Sequence, residues 1–229
     1  MVDRYLRLRD APDGNALMEE PYVLAMLNDV TDKRVLDLGC GDARLGDRLL
    51  SADCASYTGI DASEEMVTRA RSRLGSTHLV CCALEEFAPP PGAYDVVVAQ
   101  MSLHYVADLA SIFRAVRRAL RDPGMFVFSV EHPVITSCYD SAVADDVPER
   151  WVVASYFDRG PRVVRWLGEL SIKYHRPVED YLKHLAEADF QTVAMKEGEP
   201  TTEVDLPDVL LRVRRSVPQY LIVGARTAS

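Results

Sequence analysis

Residues 35–45 read Val35-Leu36-Asp37-Leu38-Gly39-Cys40-Gly41-Asp42-Ala43-Arg44-Leu45. The apolar residues at the start predict a short strand buried on both faces, as in a parallel sheet. The two glycines predict a tight turn where the backbone can approach a ligand closely, because no Cβ stands in the way. The acid at position 37 ends that strand, and a buried carboxylate requires a partner. The stretch therefore predicts a strand, a ligand-binding turn and the start of a helix.

Three kinds of nucleotide site open with a strand, a glycine turn and a helix. A phosphate-binding P-loop is excluded, because no lysine follows the glycines as its motif requires. A dinucleotide fingerprint, G-x-G-x-x-G, needs a third glycine where this chain has Arg44, and an arginine is too bulky for that helix–strand contact. The pattern that remains is D-x-G-x-G, with Asp37 two residues before the first glycine.

The composition limits the class of protein. With 229 residues, of which 48% are hydrophobic, the chain is long enough for one large domain with a full core. No segment approaches the roughly 20 apolar residues of a membrane span, and the first residues lack the apolar stretch of a signal peptide. The net charge of −9 disfavours a nucleic-acid partner, since phosphate binding relies on lysine and arginine. We expect a cytoplasmic monomer or homodimer with no nucleic-acid or membrane partner.

The cysteines do not point to a metal or to disulfides. The chain has five, an odd number, and none of them form a C-x-x-C pair. Their spacing matches neither a disulfide framework nor a zinc site. We expect reduced, mostly buried thiols and no metal.

Strands and helices alternate along most of the chain, which predicts a doubly wound, mostly parallel α/β sheet with helices on both faces. Helix 106–121 is the clearest, with its apolar residues on one stripe and arginines opposite, and helix 63–74 opens with Ser63 as an N-cap. The last two strands are expected to pair antiparallel, with one reversed strand at the sheet edge. The predicted strands are 33–38, 56–60, 77–83, 94–99, 125–130, 190–196 and 218–225, and the predicted helices are 15–28 with a break at Pro21, 42–51, 63–74, 106–121, 178–188 and one near 206–214.

Four motifs, in order and at family spacing, resemble those of the class I S-adenosylmethionine-dependent methyltransferases. Residues 35–41 are similar to motif I, and residues 59–63, Gly-Ile-Asp-Ala-Ser, to the second-strand motif. Residues 94–105 resemble motif IV, and residues 120–126 resemble the turn before the fifth strand. The resemblance implies a Rossmann-like fold of seven strands with the last one antiparallel. It also implies an enzyme that uses S-adenosyl-L-methionine and releases S-adenosyl-L-homocysteine.

The resemblance also implies which residues hold the cofactor. Asp37 and the glycine turn take its methionine part, and Asp61 at the end of the second strand takes the ribose hydroxyls. An acid at that strand end has the same task in dinucleotide folds. Hydrophobic side chains pack on the adenine, and the residues after the fourth strand line the far wall. The implied cofactor-binding residues are Asp37, Gly39, Cys40, Gly41, Asp61, Ala62, Met66, Leu84, Glu85, Gln100 and Met101.

Two positions depart from the family pattern. Ala43 stands where motif I has a third glycine, a mild change if the backbone there is helical. Many relatives carry an aspartate after the third strand for the adenine amino group, but this chain has Ala83. Glu85 or a backbone group must then serve, and an exposed acid at a helix start is an equally good interpretation of Glu85.

The alternation breaks in the segment 132–176, which is rich in aromatic residues and has a histidine near each end. Loops this long in compact domains are usually functional covers or have structure of their own. The single methyltransferase domain, 1–229, is accordingly divided into an N-terminal arm and helix (1–29), a cofactor-binding core (30–131), a substrate-side insertion (132–176) and a C-terminal helix and strands (177–229).

Methyl transfer from a sulfonium is an in-line displacement, so positioning supplies much of the catalysis. A base is needed only if the acceptor must lose a proton. The candidates are His132, directly after the fifth strand, Glu131, which orients it or binds a substrate N–H, and His104 and His175. His132 is equally well interpreted as bonding to a loop backbone, and histidine in the Leu-His-Tyr turn at 104 is more often structural.

The aromatic residues of the insertion form either a packed lid or the walls of a pocket for a planar substrate. Their faces also favour a nearby cationic sulfonium. The predicted substrate-binding residues are Tyr105, Tyr139, Tyr156, Trp166, Tyr174 and Arg176.

The sequence thus predicts a methyltransferase with a small-molecule acceptor, because its compact size, acidic charge and aromatic cover disfavour a macromolecular substrate. A planar heteroaromatic or amide-bearing metabolite, methylated on nitrogen or carbon, fits best with stacking and histidine bases. Two alternatives stay open: O- or C-methylation of a phenol or quinone-type metabolite, and a non-catalytic protein that binds S-adenosylmethionine. A nicotinamide-dependent reductase is disfavoured by Arg44.

Overall fold

The computed structural model describes residues 2–3, 6, 18–75, 78–138, 151–166, 168–199 and 215–228. Among these, no helix is long and apolar enough to cross a membrane. The strands are β1 (Arg34–Leu38), β2 (Ser56–Asp61), β3 (His78–Cys81), β4 (Tyr94–Gln100), β5 (Leu120–Glu131), β6 (Gly160–Trp166), β7 (Glu169–His175), β8 (Phe190–Glu197) and β9 (Tyr220–Thr227). The helices are α1 (Glu20–Leu27), α2 (Arg44–Ser51), α3 (Glu64–Leu74), α4 (Leu109–Ala119), α5 (Pro133–Ser137) and α6 (Val178–Glu187), with a 3-10 turn at Leu103–Tyr105.

Seven strands form one sheet in the order β3-β2-β1-β4-β5-β9-β8. Strands β1 to β5 pair in parallel, whereas β9 runs antiparallel to both of its neighbours. The predicted doubly wound sheet with an antiparallel last strand is confirmed. The expected place of the reversed strand was wrong, because β9 lies inside the sheet and β8 forms the edge. The burial explains this order: β9 is buried along most of its length, while β8 is largely exposed.

Helices cover both faces of this sheet. On one face, α4 and α6 bring Phe113 and Tyr181 against Phe126 and Phe128 of β5. On the other face, α1, α2 and α3 pack their apolar sides against β1, β2 and β4. Burial on both faces is the reason that the inner strands read as nearly continuous apolar runs.

The helices begin where local signals predict. Ser63 caps α3, because its Oγ accepts the N–H of the residue three positions on, at 3.3 Å. Asp108 caps α4 in the same manner at 3.0 Å, so that helix begins at residue 109 and not at 106. Pro21 lies in the first turn of α1, where a missing N–H costs nothing, so it starts the helix instead of breaking it. The helix expected near 206–214 lies outside the described residues.

The insertion has structure of its own. After α5, strands β6 and β7 form a separate antiparallel hairpin. Lys173 and His175 on one face of the hairpin are buried, whereas Val163 and Ile172 on the other are exposed. Arg176 ties the end of β7 to the body of the protein, because its Nη2 donates to two backbone carbonyls beyond the 3-10 turn at 2.6 and 2.7 Å.

Candidate functional site

The glycine turn joins β1 to α2 at the carboxyl end of the parallel strands. The N–H groups of Gly39 and Cys40 both donate to the carbonyl of Ile60 in β2 at 2.8 Å. Gly39 has a φ of +81°, and a Cβ built on it would lie 2.3 Å from the Cβ of Ser102. Gly41, with a φ of +57°, would place a Cβ more than 4 Å from any described atom outside its immediate neighbours. Position 39 therefore requires glycine, and position 41 leaves room for a ligand beside the backbone.

Asp37 is buried at the end of β1, next to this turn. The hydroxyl of Tyr57 donates to its Oδ2 at 2.7 Å. Its other oxygen, Oδ1, is buried and has no hydrogen-bond partner within the described part of the chain. Burial raises the pKa of Asp37 to about 7, although the Tyr57 hydrogen bond lowers it. An unpaired buried acceptor is costly, so Oδ1 is a natural partner for a ligand N–H.

Asp61 ends β2 on the other side of the turn. Its Oδ2 accepts the N–H of Gly41 at 2.9 Å, and its Oδ1 accepts the N–H of Ser63 at 2.8 Å. Burial raises the pKa of Asp61 against the effect of these two bonds. Each carboxylate oxygen has two lone pairs, so Asp61 is held in place and retains acceptor capacity for ribose hydroxyls.

Two adjoining cavities share the glycine turn. The narrower one lies between the turn, α1 and the start of α2. The wider one encloses about 1680 Å³, including its open mouth, and extends along the strand ends from β2 to β7. All of the predicted cofactor-binding residues line one or both: Asp37, Gly39, Cys40, Gly41, Asp61, Ala62, Met66, Leu84, Glu85, Gln100 and Met101. Their individual roles stay predictions.

A charged cluster that was not predicted from the sequence lies at the narrower cavity. Arg44, the first residue of α2, lines this cavity together with Glu20 of α1. The Nη2 of Arg44 lies 3.3 Å from Glu20 Oε2. Nearby, the buried Glu19 accepts the Gln100 side-chain N–H at 2.7 Å and thereby orients Gln100. The sequence contains the signal for Arg44, a cation directly after the glycine turn, although there it argues only against a dinucleotide site.

The far end of the wider cavity is polar. Glu131, at the end of β5, and Lys173, from β7, both line it, and Lys173 Nζ lies 2.5 Å from Glu131 Oε1. Lys173 is 2% exposed and lies 5.7 Å from the centroid of the Tyr105 ring. Tyr105 and Tyr220 line the same region. Lys173 is a second residue that sequence reasoning missed, since nothing local indicates that β7 folds over the end of β5.

His104 is the predicted catalytic histidine that lines this cavity. It is buried, and its Nδ1 accepts the backbone N–H of Glu131 at 3.5 Å, a long hydrogen bond. Burial lowers the pKa of His104 to about 4, although the charge of Glu131 raises it. His104 is therefore neutral at pH 7.

His132 does not line either cavity. Its Nδ1 accepts the N–H of Val134 at 3.1 Å and its Nε2 lies 3.0 Å from Glu197 Oε1. Burial lowers the pKa of His132, against the effect of Glu197. Both ring nitrogens are thus engaged in starting α5 and joining it to β8. These contacts favour the structural alternative that the sequence left open, and a catalytic role of His132 stays a prediction.

His175 likewise makes its contacts away from the cavities. It is wholly buried, with Nδ1 2.6 Å from the Thr136 hydroxyl and Nε2 2.8 Å from the carbonyl of Tyr156. Burial lowers the pKa of His175. The ring connects β7 to α5 and lines neither cavity, so its contacts favour a structural role, and its catalytic role stays a prediction.

The predicted substrate-binding residues divide in a similar way. Tyr105 lines the wider cavity, and 41% of its surface is exposed. Tyr156 accepts the N–H of Val178 with its hydroxyl at 3.4 Å, and Tyr174 lies against Arg176, whose Cζ is 5.7 Å from the ring centroid. These three, Tyr156, Tyr174 and Arg176, pack within the insertion and do not line either cavity, and their substrate-binding role stays a prediction. Tyr139 lies outside the described residues, and only the backbone of Trp166 is described.

The five cysteines, all within the described residues, form no disulfide bonds. Cys40 and Cys54 are buried, Cys82 and Cys138 are half-buried and Cys81 is exposed. No group of three or more histidine, cysteine, aspartate or glutamate side chains in the described ranges could hold a metal ion.

The residues around the glycine turn fit S-adenosylmethionine. The unpaired Oδ1 of Asp37 matches its ammonium group, and Arg44 matches its carboxylate. The open space at Gly41 and the held carboxylate of Asp61 match a ribose. Met66 and Leu84 supply an apolar wall for the adenine further along the cavity.

Comparison with known proteins agrees with this fit. The sequence profile described as a methyltransferase domain matches residues 36–126. The crystal structure of an S-adenosylmethionine-dependent methyltransferase from Mesorhizobium loti is 31% identical with a TM-score of 0.79, covering 96% of this chain and 99% of that one. A crystal structure from Listeria monocytogenes, assigned to the same enzyme class, is 35% identical with a TM-score of 0.82, covering 92% and 97%.

A curated relative is similar over a shorter stretch. The N-terminal Xaa-Pro-Lys N-methyltransferase 1 of Mus musculus is 32% identical over 122 residues. That match covers 49% of this chain and 55% of the mouse protein. The similarity therefore concerns about half of each chain.

Proposed function

This chain belongs to the class I S-adenosylmethionine-dependent methyltransferases, and we propose that its acceptor is a small, planar heteroaromatic or amide-bearing molecule methylated on nitrogen or carbon. One observation carries the choice of acceptor: Tyr105, Glu131 and Lys173 line the same cavity as Asp61. The cofactor and a polar acceptor site thus share one space, and an aromatic ring borders it.

The cofactor is oriented by the strand ends. Asp61 accepts hydrogen bonds from the ribose hydroxyls, and Asp37 accepts one from the ammonium group. Arg44 forms an ion pair with the carboxylate of the cofactor. When bound, S-adenosylmethionine supplies an electrophilic methyl group on its sulfonium. This chain holds the acceptor in line with that methyl group, so positioning supplies much of the rate enhancement.

The shape of the cavity supports a small acceptor. Glu169, Leu170, Ser171 and Lys173 of β7 line it, so the hairpin forms a wall on the side away from the glycine turn. The exposed ring face of Tyr105 offers a stacking surface for a planar molecule. A hairpin wall on this side favours a small acceptor over a folded protein surface.

Isotope transfer tests the proposal. The enzyme is incubated with S-adenosylmethionine carrying a trideuterated methyl group and with the small-molecule and protein fractions of a cell extract. We expect the deuterated methyl group on a small planar molecule, found by mass spectrometry. Asp61→Asn is the matched control and should bind S-adenosylhomocysteine at least about tenfold more weakly, since a hydrogen bond to a charged group contributes roughly 1.5–3 kcal/mol.

Other outcomes of this experiment contradict the proposal. Label on a phenol or quinone oxygen supports the alternative acceptor class, and label in the protein fraction supports a peptide acceptor such as that named for the mouse relative. Tight binding of S-adenosylhomocysteine by calorimetry without labelled product in any fraction supports a protein that binds the cofactor without turnover.

A further inference from the structure

The Glu131–Lys173 pair is an unusual feature of the acceptor end. Lys173 is 2% exposed, the Glu131 side chain is 15% exposed, and their charged atoms are 2.5 Å apart. The two residues come from different parts of the fold, β5 of the main sheet and β7 of the hairpin. Both also line the cavity that contains Asp61.

Such a pair is a poor device for stability alone. Removing two charges from water costs several kcal/mol per ion, and apolar residues of similar size often serve the fold as well or better. The alternating pattern of β7 would accept an apolar residue at position 173, since this face of the hairpin is buried. The place of the pair in the cavity gives it a second use, as a binding edge.

The pair presents complementary groups side by side. Lys173 contributes N–H donors, Glu131 contributes carboxylate acceptors, and the two charges cancel. A ligand that matches this edge carries an acceptor next to a donor and has no net charge. The H–N–C=O edge of a cyclic amide meets both conditions.

We propose that Glu131 and Lys173 recognise the H–N–C=O edge of a lactam-type ring, and that the ring nitrogen is the atom that is methylated. The carbonyl oxygen accepts from Lys173 Nζ, and the ring N–H donates to Glu131. This inference rests on the proposed function and narrows its acceptor to one chemical class.

The same contacts supply the chemistry. The ring N–H bond breaks and its proton passes to the Glu131 carboxylate, while Lys173 stabilises the charge that develops on the carbonyl oxygen. The nitrogen lone pair forms the new N–CH₃ bond as the S–CH₃ bond breaks. The electron pair of that bond stays on sulfur, which leaves as neutral S-adenosylhomocysteine, so atoms and charges balance.

The competing acceptors fit this edge less well. A phenol carries its donor and its acceptor on a single oxygen, so it does not offer Glu131 and Lys173 two adjacent atoms as a lactam edge does. A pyridine-type nitrogen has no proton for Glu131 to accept. An aliphatic ammonium would compete with Lys173 for the same carboxylate.

A panel of defined probes tests the proposal. The lactams are 2-pyridone, uracil and hypoxanthine, and the controls are phenol, pyridine and N-methyl-2-pyridone, in which the edge is blocked. Each is incubated with enzyme and S-adenosylmethionine, and N-methylated product and S-adenosylhomocysteine are measured. We expect product from at least one lactam and none from the controls.

Variants connect the turnover to the pair. Glu131→Gln should lower kcat by about 10²-fold or more, the range of general base catalysis. Lys173→Met should raise KM for the lactam about tenfold or more, and Lys173→Arg should restore part of this loss. Glu131→Gln and Lys173→Met should each bind S-adenosylhomocysteine with a dissociation constant within about twofold of the wild-type value, which shows that the fold is intact. Lys183→Met removes an exposed lysine whose ion pair with Glu187 lies within α6, and it is the control with unchanged activity.

Product from a control but from no lactam overturns the proposal, and so does the absence of product from every probe. Normal lactam turnover by Glu131→Gln overturns the role of the pair. In each case, label on a nitrogen or carbon of a small planar molecule of the extract still upholds the proposed function, so failure of the narrower inference is distinguishable from failure of the broader one.

Discussion

Asp37 combines complete burial with an oxygen that has no partner in the described chain. Its raised pKa of about 7 means that the ligand-free protein holds a proton there which the unfolded chain has released above about pH 4. The folded state therefore binds more protons between about pH 4 and 7, and this group lowers stability as the pH rises through that window. Glu19, whose pKa burial also raises to about 7, acts in the same direction.

Binding of the cofactor should reverse this effect at Asp37. The ligand ammonium favours the ionised carboxylate, so binding below about pH 7 releases a proton, and the affinity for S-adenosylhomocysteine should rise between about pH 5.5 and 8. One released proton limits the slope to roughly tenfold per pH unit. Calorimetry in buffers of different ionisation enthalpy measures both the affinity and the proton count.

Asp37→Asn is the control for this prediction. The variant should bind S-adenosylhomocysteine more weakly, and its affinity should change less steeply with pH. Asp61, whose pKa is also raised by burial, provides the pH dependence that remains. An affinity of the wild-type protein that does not depend on pH contradicts the contact between Asp37 and the ammonium group.

At the scale of single residues, the sequence predicted the cofactor side better than the acceptor side. Asp37 and Asp61 belong to short local motifs, so their place at two neighbouring strand ends follows from the chain itself. His132 is only one residue beyond the strand end that carries Glu131, yet its ring faces Glu197 of β8. The direction in which a side chain points after a strand depends on what packs beside it, and a local pattern does not contain that information.

Among the elements, the β1–turn–α2 unit departs from expectation at Ala43. The residue has a φ of +56°, which is left-handed and not right-handed helical. The replacement of glycine by alanine was expected to be mild only if the backbone there is helical, and it is not. A left-handed alanine costs roughly 1–2 kcal/mol. The turn nevertheless closes with the Ala43 N–H donating to the Cys40 carbonyl at 2.9 Å. This conformation brings Arg44 to the first position of α2, where it lines the narrower cavity.

This geometry predicts the contribution of Arg44 to binding. Arg44→Met should weaken the binding of S-adenosylhomocysteine about tenfold to a hundredfold, because a hydrogen bond to a charged group contributes roughly 1.5–3 kcal/mol. The variant should bind 5′-methylthioadenosine with unchanged affinity, since that ligand has the adenosine and the thioether but no carboxylate. Calorimetry with both ligands measures the difference.

Arg48→Met is the matched control, because Arg48 also pairs with Glu20 but does not line the cavity. If Arg44→Met lost equal affinity for both ligands, Arg44 would stabilise the turn and would not bind the carboxylate of the cofactor.

The hairpin is the element that the sequence described least well. The aromatic residues of the insertion predicted either a packed lid or a pocket wall, and Tyr156 and Tyr174 pack within the insertion. The cavity is lined on this side by Glu169, Ser171 and Lys173 of β7. Aromatic content indicates burial without specifying whether the burial is against a ligand or against the protein.

For the whole molecule, the cofactor cavity draws on β1, β2, β4 and their loops. A ligand held by several elements at once stabilises the folded state as a unit. At a concentration of about a hundred times its dissociation constant, S-adenosylhomocysteine should raise the free energy of unfolding by roughly 2.7 kcal/mol. This corresponds to an increase in Tm of about 5–10 °C for a chain of this size. Differential scanning calorimetry measures this shift. NADH at the same concentration is the control and should leave Tm unchanged; protection by NADH but not by S-adenosylhomocysteine would revive a nicotinamide site.

The sequence by itself determined the class of fold and the identity of the cofactor. Both depend on local signals: strand and helix periods, two glycines, and acids at fixed distances from them. The division into 1–29, 30–131, 132–176 and 177–229 stays a prediction. The tertiary structure decided the order of the last two strands, the packing partners of His132 and His175, and the meeting of Glu131 with Lys173. These depend on contacts between residues distant in the chain, and the packing of β7 over the end of β5 decides which groups face the cavity.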